Sequence, residues 1–131
     1  MNQNEKDMIT YNFFGEDFII EEYPGDVNEQ EFALLKRDEI DRTDYGKIQG
    51  IVMDLRKAKF KFGKKGFEKL MAFLIKNKDI LRNKSIAILT KTMEQLNFGY
   101  LFMDHLNEHL SPIKIEHFST KKEAFRWLKT Q

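Results

Sequence analysis

The stretch IQGIVMDLRKAKFKFGKKGFEKL, residues 48–70, decides the fold because it joins a buried strand to an amphipathic helix through a glycine-containing turn. Its first part, IQGIVMDL, is a nearly continuous apolar run, which is typical of a strand covered on both faces of a sheet. The apolar residues after the glycines recur at helical spacing: Phe67, Leu70, Met71 and Leu74. A strand followed by such a helix predicts one unit of an α/β fold.

The same alternation of strands and helices extends to both sides of this unit. The β-rich segments MITYNFF (8–14) and FIIEEY (18–23) are separated by GED, which predicts a hairpin. SIAIL (85–89) predicts another buried strand, and IKIEHF (113–118) alternates as a strand does. Helices are predicted in three further segments: EQEFALLKRDEI (29–40), MEQLNFGYLFMDHLNEHL (93–110) and KKEAFRWLKT (121–130).

Three pairs mark helix starts: Asn28 with Glu31 is a possible N-terminal cap, and Thr92 with Gln95 and Thr120 with Glu123 are predicted to form capping boxes. In the first helix, Phe32, Leu35 and Ile40 are expected to form the apolar side. The order β-β-α-β-α-β-α-β-α predicts an α/β fold with a mixed, mostly parallel sheet, right-handed crossovers and helices packed on it. We expect a single domain over residues 1–131.

The composition narrows the classes of function. The chain has 41% hydrophobic residues, 33% charged residues and no cysteine. The absence of cysteine excludes a disulfide scaffold, cysteine-ligated zinc, iron–sulfur ligation and thiol catalysis. No secretory signal pattern opens the sequence, and no apolar run approaches the ~18 residues of a membrane span. We therefore expect a cytoplasmic protein without a membrane span.

The net charge of +1 conceals an uneven distribution. Residues 1–50 carry 5 Lys/Arg and 13 Asp/Glu, whereas residues 51–131 carry 17 and 8. We interpret these as charges that mix across one folded surface. The alternative is a polarised chain that steers a partner or pairs with itself.

The order of elements resembles the STAS domain family, the anti-sigma factor antagonist fold, with its SpoIIAA-like relatives. The resemblance is carried by the opening hairpin, IVMDLR (51–56), SIAIL (85–89) and the closing IKIEHFSTKKEAFRWL (113–128), and it covers nearly the whole chain. It implies the SpoIIAA-like fold and a non-enzymatic binding or regulatory module of a bacterial-type cytoplasm that acts by protein–protein interaction.

In regulatory members of that family, a phosphorylated serine follows the strand that ends in Asp-Leu, and its charge switches partner binding. The present chain has FGKKGF, residues 62–67, in that place, and no Ser or Thr occurs between Thr43 and Ser85. The resemblance therefore implies an uncharacterised branch of the family that lacks the phosphoserine switch.

The turn after the central strand is the first candidate site, and it contains Arg56, Gly63, Lys64, Lys65 and Gly66. Its glycines allow close approach of the backbone at a helix start, and its cations favour an anion or a partner's acidic surface. It matches neither the Walker A loop nor the GxGxxG spacing. The alternative interpretation is a solvated glycine turn.

The same turn also bears on nucleic-acid binding. In KAKFKFGKKGF (57–67), lysines alternate with phenylalanines, as in some single-strand binders. The pI of 7.9 is well below the strongly basic pI typical of nucleic-acid-binding domains. We therefore expect no nucleic-acid partner.

The second candidate site is the helix at 93–110, whose apolar surface is wider than one sheet contact needs. Leu96, Met103, Leu106 and Leu110 form the expected core stripe. The surplus apolar residues lie off that stripe: Phe98, Tyr100, Leu101 and Phe102. Three interpretations remain open for them: contact with a neighbouring helix, a homodimer face, or an apolar pocket for a small ligand, as in the lipid-carrying CRAL-TRIO proteins that the fold distantly resembles.

No constellation in the sequence predicts catalysis or metal binding. His105, Glu108 and His109 match the HxxEH pattern of inverted zinc proteases, but too little chain follows them to supply a third ligand on a helix. None of the three serines (Ser85, Ser111, Ser119) lies in a nucleophile elbow. We expect no catalytic residue, no metal and no cofactor, and the small apolar or anionic ligand remains the alternative to a protein partner.

Overall fold

The computed structural model describes residues 8–60, 63–110 and 112–131. Its main sheet contains five strands: β1 (Thr10–Phe14), β2 (Phe18–Glu22), β4 (Gly50–Asp54), β6 (Ser85–Leu89) and β7 (Lys114–Phe118). The strands lie in the order β1-β2-β4-β6-β7, and only the β1–β2 pair is antiparallel. The predicted mixed, mostly parallel sheet is therefore confirmed, with the opening hairpin at one edge.

Two very short strands, β3 (Gly25–Asp26) and β5 (Ala58–Lys59), pair in parallel as a separate ribbon. The sequence did not predict this ribbon, because two residues are too few to show a periodicity.

Four α-helices connect and cover the strands, as predicted: α1 (Glu29–Arg42), α2 (Gly63–Lys76), α3 (Met93–His109) and α4 (Lys121–Leu128). Short 3₁₀ turns lie at Tyr45–Lys47 and Lys78–Ile80. Helix α2 begins at Gly63, which has a φ of +66°. Lys64, Lys65 and Gly66 therefore belong to the first turn of α2, rather than to a loop that precedes it.

The helices cover the two faces of the sheet unequally. Helices α1, α2 and α3 share one core with the sheet, and this core includes Phe32, Leu74 and Phe102. Helix α4 packs on the other face, where Ala124 and Leu128 belong to the second core. In the described part of the chain, one face thus has three helices and the other has one short helix.

All three predicted N-caps are present. Asn28 accepts a hydrogen bond from the backbone N–H of Glu31, and Thr120 accepts one from Glu123. Only the pair of Thr92 and Gln95 forms the full reciprocal capping box. The capping box predicted at Thr120 is incomplete, because the Glu123 carboxylate accepts from the Thr120 hydroxyl instead of from the Thr120 backbone N–H.

The predicted core sides of two helices need correction. In α1, Ile40 is exposed, and the buried residues follow the spacing i, i+3, i+4, i+7: Phe32, Leu35, Lys36 and Glu39. In α3, Leu96 and Met103 are only half-buried, and the buried side holds Gln95, Phe98, Gly99, Phe102 and Leu106. A wide apolar arc leaves the helix rotation open, and packing against α2 and β7 selects it.

Some sequence-based interpretations concern residues outside the described ranges. These are the N-terminal residues 1–7, Lys61 and Phe62 of the alternating segment, and Ser111. Among the described residues, no helix is both long and apolar enough to span a bilayer.

Candidate functional site

An apolar groove of about 450 Å³ lies between the start of α2 and the exposed side of α3. Its aromatic lining comes from Phe60, Phe67 and Phe98. Leu101 and Lys64 border the same groove. The start of α2 and the helix α3, which the sequence marked as two separate candidate sites, therefore meet in one depression.

Stacked rings build the floor of this groove. The rings of Phe60 and Phe98 are nearly parallel, with centroids 4.1 Å apart. Phe67 meets Phe98 edge-to-face at 5.7 Å, and His105 meets Phe67 in the same manner at 5.1 Å. Offset and edge-to-face pairs are the favoured arrangements of aromatic side chains, so the floor is preformed.

The rim of the groove carries charges of both signs. Lys64, Glu68 and Glu94 supply these charges, and Asn97 and His105 add polar groups to the lining. An apolar floor within a polar rim is the usual arrangement of a protein interface.

The four apolar residues of α3 that the sequence marked as a candidate site lie in different environments in the structure. Phe102 is fully buried against Phe98 and contributes to the core, so it is not part of a surface. Phe98 is 7% exposed and forms part of the floor of the groove. Tyr100 and Leu101 are each 52% exposed. The ring of Tyr100 makes an edge-to-face contact with His117 of β7, whereas Leu101 borders the groove.

The five turn residues are likewise separated. Gly63 and Lys64 border the groove. Lys65 is exposed and Gly66 is half-buried in the first turn of α2. Arg56 lies in a different cavity, so the turn is not one site.

That second cavity, of about 570 Å³, lies at the carboxyl edge of the parallel strands. Arg56 and Lys57 follow β4, Lys91 follows β6, and Lys121 begins α4. Open α/β sheets commonly bind ligands at this edge. We name this cavity, with these four cations, the basic pocket.

Asp54 holds Arg56 in a fixed orientation within the basic pocket. Nε and Nη2 of Arg56 donate to the two carboxylate oxygens of Asp54, both at 2.9 Å. Burial alone would raise the pKa of Asp54, but the hydrogen bonds and charge of Arg56 outweigh burial and hold this pKa below its usual value. The pair is therefore ionised at neutral pH.

Sequence reasoning singled out Arg56 but missed Lys57, Lys91 and Lys121. A signal for two of them was present, because Lys57 and Lys91 lie shortly after the ends of two neighbouring parallel strands, β4 and β6. Residues that follow neighbouring parallel strands converge on one edge of the sheet.

Sequence reasoning also missed a buried charge cluster between α1 and β2. Nζ of Lys36 lies 2.5 Å from Oε2 of Glu21 and 3.2 Å from Oε1 of Glu39, and the Tyr23 hydroxyl donates to Glu21 at 2.6 Å. All four side chains are essentially inaccessible to solvent. The cluster therefore stabilises the packing of α1 on the sheet and is closed to dissolved ligands.

The cluster holds one ion pair and one neutral acid. Burial opposes ionisation of Glu21, but the charge of Lys36 outweighs it and lowers the Glu21 pKa. Burial and the neighbouring Glu21 charge raise the pKa of Glu39 to about 9. Glu39 is thus protonated at neutral pH.

The histidines of the HxxEH pattern do not gather a metal site in the described part of the chain. The ring centroids of His105 and His109 are 6.4 Å apart, and Nδ1 of His105 lies 3.1 Å from the Leu101 carbonyl oxygen. Residues 8–60, 63–110 and 112–131 contain no group of three or more potential metal ligands.

The strand order, the edge hairpin and the unequal distribution of helices define a SpoIIAA-like, or STAS-like, fold. The anti-sigma factor antagonist SpoIIAA in its unphosphorylated form superposes with a TM-score of 0.62 at 8% identity, over 94% of this chain and 99% of SpoIIAA. An uncharacterized DUF3478-family protein from Shewanella loihica with a SpoIIAA-like fold superposes with a TM-score of 0.61 at 13% identity, over 92% of this chain and 91% of that protein. The fold predicted from the sequence is therefore confirmed.

The comparisons of sequence add no family assignment. No protein-family model matches the chain. No curated protein matches it significantly either.

Proposed function

We propose that this chain is a non-enzymatic, STAS-like binding module of the cytoplasm, acting as one domain through protein–protein recognition. The recognition surface is the groove between α2 and α3. One observation carries the proposal: Gly63 and Lys64 at the start of α2 meet Phe98 and Leu101 of α3 around one preformed apolar groove.

The groove suits an apolar side chain of a protein partner. Its aromatic floor offers a dry contact, and Leu101, which is 52% exposed, extends the apolar surface outward. The rim charges of Lys64, Glu68 and Glu94 then select the partner by its own charges. A second copy of this chain is one such partner.

The fold supports a regulatory role of this kind. SpoIIAA, which has the same fold, is an anti-sigma factor antagonist. The present chain has no Ser or Thr between Thr43 and Ser85, so the proposed module works without a phosphoserine at the start of α2.

Leu101→Asp tests the proposal, with Leu34→Asp as the matched control. Both leucines are exposed on helices, at 52% and 62%, but only Leu101 borders the groove. Native mass spectrometry and sedimentation velocity of the three purified proteins report subunit number. Quantitative capture of partners by each protein reports binding to other chains.

We expect Leu101→Asp to abolish self-association or partner capture, because it places a charge on the apolar contact, and Leu34→Asp to retain both. Equal behaviour of the two variants, or loss only with Leu34→Asp, contradicts recognition through the groove.

A second candidate function is a carrier of a small apolar ligand. The groove volume of about 450 Å³ lies within the range of small-molecule sites, and its lining is mainly apolar. Native mass spectrometry distinguishes this function, because a bound molecule adds mass that is lost on denaturation. A bare wild-type chain that associates through Leu101 contradicts the carrier function.

A further inference from the structure

The basic pocket has more positive than negative charge around one cavity. Four cationic side chains line it, at Arg56, Lys57, Lys91 and Lys121. Among the described residues, two carboxylates line the same cavity, those of Glu22 and Asp54.

These two carboxylates already have partners. Asp54 accepts two hydrogen bonds from the Arg56 guanidinium and a third from the Arg56 backbone N–H, and Oε2 of Glu22 lies 3.7 Å from Nζ of Lys121. Within the described residues, the ammonium groups of Lys57 and Lys91 form neither an ion pair nor a side-chain hydrogen bond. The surplus therefore consists of two solvated ammonium groups beside an oriented guanidinium.

We propose that the basic pocket binds a phosphate monoester of a small molecule. A phosphate monoester carries about 1.5 to 2 negative charges at neutral pH, which matches the two uncompensated ammonium groups. Nε and Nη2 of Arg56 each donate one N–H to Asp54, so both N–H groups of Nη1 and the second N–H of Nη2 are left to donate to phosphate oxygens.

The cavity is large enough for more than the phosphate group. Its volume of about 570 Å³ lies within the range of small-molecule sites. Met8 and Pro24 line it together with the cations and offer apolar contact to the organic part of the ligand. The proposed ligand is therefore an ester rather than free phosphate.

This site is independent of the protein-binding groove. The basic pocket and the groove share no lining residue. Failure of one proposal therefore leaves the other unaffected, because each has its own variants.

The test is an NMR titration of the full chain at low ionic strength with three probes: phenyl phosphate, inorganic phosphate and a short phosphotyrosine peptide. The variant is the double substitution Lys57→Gln and Lys91→Gln. The matched control, Lys76→Gln and Lys122→Gln, removes the same charge from exposed lysines outside the pocket. The amide spectrum of each variant shows whether the fold is retained.

We expect phenyl phosphate to shift the amide signals around Arg56 and Lys91 and to bind more tightly than inorganic phosphate. The Lys57/Lys91 variant should weaken this binding about tenfold, whereas the Lys76/Lys122 variant should leave it within about twofold.

Three results would overturn the proposal. The first is no shift with phenyl phosphate, and the second is equal weakening in both variants. The third is binding of the phosphotyrosine peptide about tenfold tighter than phenyl phosphate, which would assign the pocket to a phosphorylated protein instead.

Discussion

His117 of β7 packs directly onto Gly99 in the middle of α3. A Cβ atom added to Gly99 would overlap the imidazole ring of His117, at Nε2 first. Tyr100 contacts the same ring edge-to-face, with centroids 4.6 Å apart. The glycine therefore lets a strand and a helix approach more closely than any other residue at this position would allow.

Gly99→Ala is expected to destabilise the protein. Alanine is favoured over glycine within a helix by about 1 kcal/mol, so an uncrowded site would gain stability. Here the methyl group collides with His117, and we expect the free energy of unfolding to fall by about 1–3 kcal/mol. Urea denaturation measures this change.

The control for Gly99→Ala is the same substitution in a His117→Ala background. With the ring removed, alanine at position 99 should be stabilising. A stabilising effect of Gly99→Ala in the wild-type chain would show that the ring moves away freely.

His117 is expected to make stability depend on pH in the mildly acidic range. Burial lowers its pKa, the charge of Glu116 opposes this only in part, and neither ring nitrogen has a hydrogen-bond partner among the described residues. The unfolded chain therefore takes up the proton first, at about pH 6.5. The contribution of neutral His117 to the free energy of unfolding is fully present above that pH. It falls as the pH drops towards the lowered pKa of His117 in the folded protein.

The measurement is the free energy of unfolding between pH 7.5 and pH 5 for wild type and His117→Leu. Leucine does not titrate, so the variant should lose part of the decrease towards acid, whatever its absolute stability. Parallel pH curves for the two proteins would contradict this role of His117.

Lys36→Met is expected to cost far more stability than removal of a surface ion pair. Lys36 and Glu21 are fully buried, and loss of the ammonium group leaves the Glu21 carboxylate uncompensated. We expect a loss of about 3–5 kcal/mol by urea denaturation. The exposed pair of Arg42 and Asp38, with N–O distance 2.9 Å, serves as control, and Arg42→Ala should cost less than about 1 kcal/mol.

Adding Glu21→Gln to Lys36→Met should recover part of the loss. The neutral amide oxygen still accepts from the Tyr23 hydroxyl, but no charge is left buried. Equal losses for Lys36→Met and Arg42→Ala would mean that burial does not set the strength of this pair.

Glu39→Gln is expected to stabilise the protein increasingly as the pH rises. Burial and the Glu21 charge raise the Glu39 pKa from 4.5 to about 9, so the folded chain keeps a proton that the unfolded chain releases. The Glu39 contribution is fully present below pH 4.5 and is lost as the pH rises towards 9. Glutamine cannot ionise and avoids this loss.

Urea denaturation of wild type and Glu39→Gln at pH 5, 7 and 8 measures the effect. The difference in stability should grow with pH, by at most about 1.4 kcal/mol per unit. A difference that stays constant with pH would show that Glu39 is ionised in the folded protein.

The element order and the fold could be predicted because each element carries its own local signal. The strands IVMD and SIAIL are apolar on both faces, and Thr92 with Gln95 marks a helix start by direct hydrogen bonds.

The candidate sites were predicted only in part. Lys64 and Leu101 border the groove, but Phe102 lies in the core and Arg56 lies in another pocket.

The functional and buried charged residues that the sequence did not predict were missed for one physical reason: their roles depend on contacts with elements distant in the chain. A lysine in a helix is usually expected to be exposed to solvent. Lys36, however, lies on the same face of α1 as Phe32 and is buried in an ion pair with Glu21 of β2. Lys57 and Lys91 are far apart in sequence and meet only because β4 and β6 are neighbours in the sheet.

By itself, the sequence determined the alternation of strands and helices and the positions where helices begin, because these depend on residues within one turn or one strand of each other. The order of these elements then indicated the STAS-like fold. Only the tertiary structure decided which side of α3 faces the core, which charges are buried and which side chains share a cavity. Those properties depend on contacts between elements distant in the chain, such as Gly99 with His117 and Lys36 with Glu21.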